Sequence, residues 1–229
     1  VFSKATSHGR QSLSRRAERR GRLGDEAGIT LLELLISVFL LLIMIIAVYS
    51  FLYSNKQEYV AETDLATAQN AGRSAIDIFT CEVMEAGYNP LGVPFVAVPE
   101  TTAYKVRFLA DLNGNGIVGT ASELDENLTY EFVDADGDNI YELRRGIDLN
   151  GDGDYADTGE SVTPVATYVV PIDLNGDGSP EPFLAYDAAA PDTHTIRIVF
   201  GVRTEHYDIL RRRYPVVRFV NEIMLRNTG

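Results

Sequence analysis

Three near-copies of one six-residue word carry most of the hard oxygen ligands of this chain: Asp111-Leu112-Asn113-Gly114-Asn115-Gly116, Asp148-Leu149-Asn150-Gly151-Asp152-Gly153 and Asp173-Leu174-Asn175-Gly176-Asp177-Gly178. A degenerate fourth is Asp134-Ala135-Asp136-Gly137-Asp138-Asn139. Oxygen-bearing side chains at alternate positions, followed by glycine, let a loop curl until its first, third and fifth residues converge on one cation, as in an EF-hand loop. Candidate calcium ligands are therefore Asp111, Asn113 and Asn115; Asp148, Asn150 and Asp152 with Asp154, Asp157 and Glu160; and Asp173, Asn175 and Asp177. An EF-hand itself is excluded. Its bidentate Glu belongs at the twelfth place, where these loops carry Ser122, Gly159 and Leu184; Glu123 and Glu160 fall one place late, and no helical pattern flanks the loops. Stretches 111–126, 134–160 and 173–187 hold 17 of the 30 acidic residues that follow Gly28, within 58 of 201 residues. Such crowding repels itself unless a cation compensates it. Asn-Gly and Asp-Gly are also ordinary hairpin turns, and 134–139 reads first as such a turn between two strands.

Other constellations carry less. His206-Tyr207-Asp208 has the look of half a catalytic relay, but no motif places a Ser or Cys nucleophile, so His206 reads as an exposed hairpin-end residue and the chain as no enzyme. Arg211-Arg212-Arg213 beside Tyr214 reads as a solvated turn or as a partner for the acidic loops. No phosphate loop, nucleotide fingerprint or zinc spacing occurs. A lone Cys81 makes no internal disulfide and reads as a small buried thiol. From Ile29 onward the chain holds 13 basic and 30 acidic residues, which disfavours nucleic acid as a partner.

These groups must be positioned by the rest of the chain, and its first feature is a membrane run. Leu34 to Tyr53 is twenty residues without a charge, which as a helix spans about 30 Å, the thickness of a bilayer's hydrocarbon core. Before it, the first 28 residues carry seven basic side chains against three acidic ones. By the positive-inside rule residues 1–28 stay cytoplasmic and the acidic C-terminal part lies outside. The run is long for the apolar core of a cleaved secretory signal, and no small-residue cleavage site follows it. Its entry, Gly28-Ile29-Thr30-Leu31-Leu32-Glu33, places a carboxylate inside an apolar stretch, which is costly and calls for a named partner.

A glycine, an apolar residue, Thr-Leu-Leu and then Glu, set between a basic leader and a hydrophobic helix, closely resembles the processing site of type IV prepilins and pseudopilins. The resemblance implies that a prepilin peptidase cuts after Gly28 and methylates the new amino terminus at Ile29. It further implies that Glu33 pairs with the terminal amine of a neighbouring subunit during assembly. An isolated carboxylate in hydrocarbon tends to protonate, whereas an amine in the same layer compensates its charge. The alternative for Glu33 is an interfacial side chain reaching to headgroups.

Beyond Tyr53 the residues Leu65, Ala68, Gly72, Ile76, Phe79 and Val83 recur at spacings of three and four, a helix with one buried stripe. Gly87 and Asn89-Pro90 supply the stop. One helix from about Ile29 to Ala86 is therefore expected, with Gly72 allowing a strand to approach closely. Then the pattern turns period-two and β-branched: 104–108, 128–133, 140–143, 165–170, 195–202 and 216–224 read as strands. The expected class is α+β, and the resemblance implies the type IV pilin fold: a leader over 1–28, a transmembrane half-helix over 29–53, an amphipathic half over 54–86 and a β-rich head over 87–229. Ala68-Gln69-Asn70-Ala71-Gly72-Arg73, Met84-Glu85-Ala86-Gly87-Tyr88, Thr129-Tyr130, Ile196-Arg197-Ile198, Val202-Arg203-Thr204 and Leu225-Arg226-Asn227 are similar to PilW-like minor pilins, and more loosely to the J-type pseudopilin of type II secretion. The implied partners are other pilins, the peptidase and the pilus assembly platform. The implied location is the inner membrane with the head in the periplasm, then a pilus or its tip. A membrane-anchored, calcium-dependent adhesin is the rival reading that needs no cut at Gly28.

Overall fold

The computed structural model describes residues 29–118, 126–147, 155, 157–190 and 193–227. The leader, Gly28 and the ligands Asp148, Asn150, Asp152 and Asp154 lie outside the described residues. One helix, α1, runs from Leu31 to Val83. The chain divides into two compact units between Leu52 and Tyr53, so the halves of α1 are described separately. In the first unit every residue from Leu31 to Leu52 is exposed. This stretch is long and apolar enough to cross a membrane, and a helix apolar on all sides is either the core helix of a large protein or a membrane span.

In the second unit α1 packs on an antiparallel sheet through Ala68, Gly72, Ala75, Phe79 and Val83, all buried. Small residues come first on this stripe and large ones follow, so the helix comes close at Ala68, Gly72 and Ala75 and anchors at Phe79 and Val83. The expected contact at Gly72 is present: a Cβ there would fall on the ring of Phe219. After Val83 the hydrogen bonds tighten to the third residue back (Glu85 N to Glu82 O, Ala86 N to Val83 O). Gly87 then turns the chain at a φ of 77°, where a side chain would be strained. Cys81 differs from expectation, being exposed. At 100° per residue it lies about 200° around the helix from Phe79, off the buried stripe.

The sheet has eight strands: β1 (Glu100–Thr101), β2 (Lys105–Leu109), β3 (Asn127–Val133), β4 (Tyr141–Ile147), β5 (Ser161–Val170), β6 (Leu184–Ala190), β7 (Thr193–Arg203) and β8 (Val216–Met224). Their order is β1-β2-β3-β4-β5-β7-β6, with β8 paired to β7. All pairings are antiparallel. β5 and β6 share β7, at Val169 and Val170 for β5 and from Leu184 onward for β6. The sheet curls, and Leu184 N donates to Ala103 O at 3.1 Å. Inside the curl, Phe132 stacks on Phe183 with centroids 4.3 Å apart. Phe79 meets Tyr130 edge-on at 4.9 Å, an aromatic geometry worth about 0.5–1.5 kcal/mol beyond its buried area.

Candidate functional sites at the helix entry and in the acidic loops

Thr30 caps α1. Its Oγ1 accepts the backbone N–H of Glu33 at 3.2 Å, and its carbonyl accepts from Leu34 N at 3.1 Å. Thr30-Leu31-Leu32-Glu33 is thus a Ser/Thr-x-x-Glu capping word, a signal present in the sequence but hidden inside the processing-site reading. An N-cap of this kind contributes about 1 kcal/mol. Ile29 sits just before the cap and is exposed, and Glu33 stands in the first helical turn. Ile29 and Glu33 are four residues apart, about 6 Å along a helix axis. The carboxylate and the amine that a cut at Gly28 would create are therefore confined to one layer.

The acidic words fold to one plan in the three loops that are described. The first Asp turns its carboxylate back onto the loop's own N–H groups. Asp111 accepts from Asn115 N (3.0 Å) and Gly116 N (2.9 Å). Asp173 accepts from Gly176 N (2.5 Å) and Gly178 N (2.8 Å). Asp134 accepts from Gly137 N (2.8 Å) and Asn139 N (3.0 Å). The fifth residue then caps the turn two places on: Asn115 to Ile117 N at 2.7 Å, Asp138 to Ile140 N at 2.8 Å and Asp177 to Ser179 N at 2.8 Å. Gly114, Gly137 and Gly176 supply the positive φ at the fourth place. Backbone donors lower two of the first carboxyls. At Asp173 the N–H groups of Gly178 and Gly176 hold it below the usual carboxylate range. At Asp134 desolvation pushes upward, but the N–H groups of Asn139, Gly137 and Asp138 outweigh it.

The 134 word is a hairpin turn, as expected: it joins β3 to β4, with Val133 opposite Glu142. It also gathers the carboxylates that this degenerate fourth word sets at alternate positions. Oxygens of Asp134, Asp136 and Asp138 all lie within 4.8 Å of one another, and no other His, Cys, Asp or Glu triad among the described residues converges so tightly. In the 111 and 173 loops a distant acid closes the turn. Asn113 N donates to Glu126 Oε1 at 2.9 Å, and Leu174 N donates to Glu181 Oε2 at 2.7 Å. Glu126 is only 4% exposed, and its Oε2 is buried without a hydrogen-bond partner among the described residues. Asp111 is buried too. Each carboxylate oxygen has two lone pairs, so the N–H bonds to Asp111 leave acceptor capacity for a cation. In the 148 segment, Asp157 N lies 3.3 Å from Glu160 Oε2, closing a short turn.

His206 pairs across to the helix: its Nδ1 lies 2.9 Å from Asp64 Oδ2 on α1, and its side chain is 64% exposed. An open cleft of about 840 Å³ between the 87–98 segment and the sheet edge carries a Tyr186 hydroxyl against His194 Nδ1 at 2.6 Å, with Arg226 at its rim. Among the described residues no carboxylate or thiol lines it. No family model, no curated protein and no solved structure matches this chain.

Proposed function

We propose that the chain is a type IV pilin-like subunit, a minor pilin of the PilW-like kind, whose work is assembly rather than chemistry. A peptidase cuts it after Gly28 and methylates Ile29; the mature subunit waits in the inner membrane with its head in the periplasm and is then drawn into a pilus or its tip. The observation that carries this reading is α1 itself: a continuous helix that starts two residues after the proposed cut, is apolar and uncovered over its first half, and is packed on an antiparallel sheet over its second. A subunit that must live first in lipid and then against other helices needs such a helix, because its apolar surface is exchanged from lipid to neighbours without ever meeting water. Glu33, held at the level of the new amine by the Thr30 cap, pairs with the amino terminus of the adjacent subunit. Mass analysis of the native protein extracted from membranes tests the reading. The expected chain begins at N-methylated Ile29; one beginning upstream of Gly28, or after the run that ends at Tyr53, refutes it.

The acidic loops are proposed to hold calcium and so to stiffen the head. The shared loop plan, the carboxylate triad at 134–138 and the orphan Oε2 of Glu126 beside the Asp111 loop support this. Calcium tolerates irregular sets of oxygen ligands, whereas magnesium demands a tight octahedron. The 111 loop would draw on Asp111, Asn113, Asn115 and Glu126, and the 173 loop on Asp173, Asn175, Asp177 and Glu181.

A further inference from the structure

The column of side chains that β3 turns toward α1 ends in a charge. Alternate residues of a strand share a face, so Tyr130, Leu128 and Glu126 point the same way, and all three are buried. Tyr130 meets the helix by donating its hydroxyl to Glu82 Oε2 at 2.6 Å, and Leu128 belongs to the hydrophobic core. Glu126 stands just before β3, where its carbonyl accepts Ala110 N at 3.0 Å. With Phe108, Ala110 and Leu128 it lines a small gap whose helix side is Glu82 and Glu85. The pattern calls for an apolar side chain at 126. The carboxylate found there has Oε1 on Asn113 N at 2.9 Å and Oε2 buried with no hydrogen-bond partner among the described residues.

Little that is cationic answers this charge. A helix C-terminus is the negative end of the macrodipole and favours cations, yet the last turn of α1 carries no basic residue. Glu82 is balanced by Arg145, whose Nε lies 2.9 Å from its Oε1. Glu85 and Glu126 form no ion pair among the described residues. The size of the gap selects what can enter. It is too small to admit a water molecule, so solvent does not satisfy Oε2. A hydrogen-bonded water oxygen sits about 2.7 Å from its acceptor, whereas calcium bonds oxygen at about 2.4 Å. A bare ion therefore fits where water does not, and magnesium, which keeps its waters and demands an octahedron, is disfavoured. Glu85 is exposed and stands at the mouth. The three carboxylates are less tightly gathered than those of 134–138, as like charges are with no ion between them. We propose that the C-terminal end of α1 holds a calcium ion in this gap, bound by Glu126 Oε2 from the floor, Glu82 from the side and Glu85 from the mouth, where water completes the shell. The ion clamps the last turn of α1 to β2 and β3. Its site is none of the repeated loop words and shares only Glu126 with the 111 loop, for which Oε1 keeps its second lone pair.

The test counts calcium bound to the full chain in detergent by equilibrium dialysis. Glu85→Gln is the variant, since Glu85 is exposed and lies outside every loop word; Glu62→Gln, an exposed acid earlier on α1, controls for the loss of one charge. At a calcium concentration that saturates wild type, Glu85→Gln is expected to bind one ion fewer, and Glu62→Gln the full number. Terbium in calcium's place reports position, because a neighbouring excited tyrosine passes its energy to the ion and the sequence has no tryptophan to compete. Tyr130→Phe and Glu85→Gln should each lower the tyrosine-sensitised emission. A full calcium count in Glu85→Gln overturns the proposal and leaves calcium in the loops standing. A loss shared equally by Glu62→Gln is an effect of general charge and overturns it, as does terbium emission untouched by Tyr130→Phe. A count lowered by Glu85→Gln but not by Asp134→Asn or Asp173→Asn upholds the helix-end site against those two loops. A wild-type chain that binds no calcium overturns both, and a protonated Glu126 then fills the gap.

Discussion

Glu126→Gln separates a calcium loop from a solvated turn by the sign of its effect. In wild type the Glu126 carboxylate is buried, with Oε1 on Asn113 N and Oε2 orphaned. A buried acceptor left without a hydrogen bond costs about 1–3 kcal/mol, more when it is charged, whereas Gln at 126 keeps the acceptor for Asn113 and is neutral. In the absence of metal the substitution is therefore expected to leave the head as stable as wild type or to raise its stability. With an ion in the 111 loop the order reverses, because the carboxylate then supplies charge that the amide lacks. Metal that binds only the folded state stabilises by RT ln(1 + [L]/Kd), about 2.7 kcal/mol at a hundredfold excess over Kd. At about 2–4 °C per kcal/mol for a domain of this size, one such site raises Tm by roughly 5–11 °C. The assay is thermal unfolding of the full chain in detergent, followed by near-ultraviolet circular dichroism of its tyrosines, in EGTA and in millimolar calcium. Wild type should gain several degrees with calcium and less with magnesium. Glu126→Gln should forfeit part of the gain, the remainder coming from the other loops. Equal Tm in EGTA and calcium refutes calcium binding, and a calcium gain untouched by Glu126→Gln moves the ion away from the 111 loop.

Glu33→Ala should still insert and be processed, since removing a charge favours hydrocarbon, but should fail to copurify with partner pilins; normal copurification refutes the amine pairing. Gly72→Ala places a methyl on the Phe219 ring, and overpacking of this kind costs about 1–3 kcal/mol, read as a lower Tm that Phe219→Leu partly restores. Burial, and then Glu82 as hydrogen-bond acceptor and neighbouring charge, raise the Tyr130 hydroxyl far above its ordinary value. In the unfolded chain it ionises near pH 10, so the contribution of Tyr130 to stability is complete below that pH and declines as pH rises beyond it. Tyr130→Phe should flatten the alkaline loss of stability, measured by denaturant titration from pH 8 upward, a range chosen to bracket the onset near pH 10.

What the sequence disclosed follows the range over which its signals act. The helix stripe needed only the 3.6-residue period and named Ala68, Gly72, Phe79 and Val83 correctly; Leu65 and Ile76, also named, are half-buried at its margin, and Ala75 takes the buried place beside Ile76. β6 escaped notice since Leu184-Ala185-Tyr186-Asp187-Ala188-Ala189-Ala190 has little β-propensity; it is a strand because β7 offers an edge from Thr195 to Ile198. β5 starts earlier than its β-branched run. Pro164 within it signals a break, yet it is tolerated opposite Arg144, as β5 pairs with β7 only at Val169 and Val170 and needs no donor there. Arg144 and Arg145 likewise hid the end of β4, although Arg145 is inside the fold's logic, its Nε 2.9 Å from Glu82 Oε1 on α1.

The same argument accounts for the acids that the loop words could not supply. A motif read along the chain sees at most a dozen residues, and at its twelfth place it finds Ser122 and Leu184, neither of them a ligand. Strand pairing brings the acids whose carboxylates accept the loops' own N–H groups, Glu126 from Asn113 and Glu181 from Leu174. β2 and β3 are registered with Leu109 opposite Asn127, and Ala110 N bonds Glu126 O at 3.0 Å, so residues 111 and 126 start and finish one loop at the same point of the sheet. Glu181 N bonds Ile172 O at 3.0 Å, and the 173 loop closes on Glu181 in the same way. A metal-loop reading of such words therefore depends on the β-pairing that precedes and follows them: the closing carboxylate is the residue that pairing returns to the first Asp, whatever its count along the chain. If calcium occupies these loops, Glu126→Gln and Glu181→Gln should each weaken it, while Glu123→Gln, one place past where the linear word puts its acid, should not.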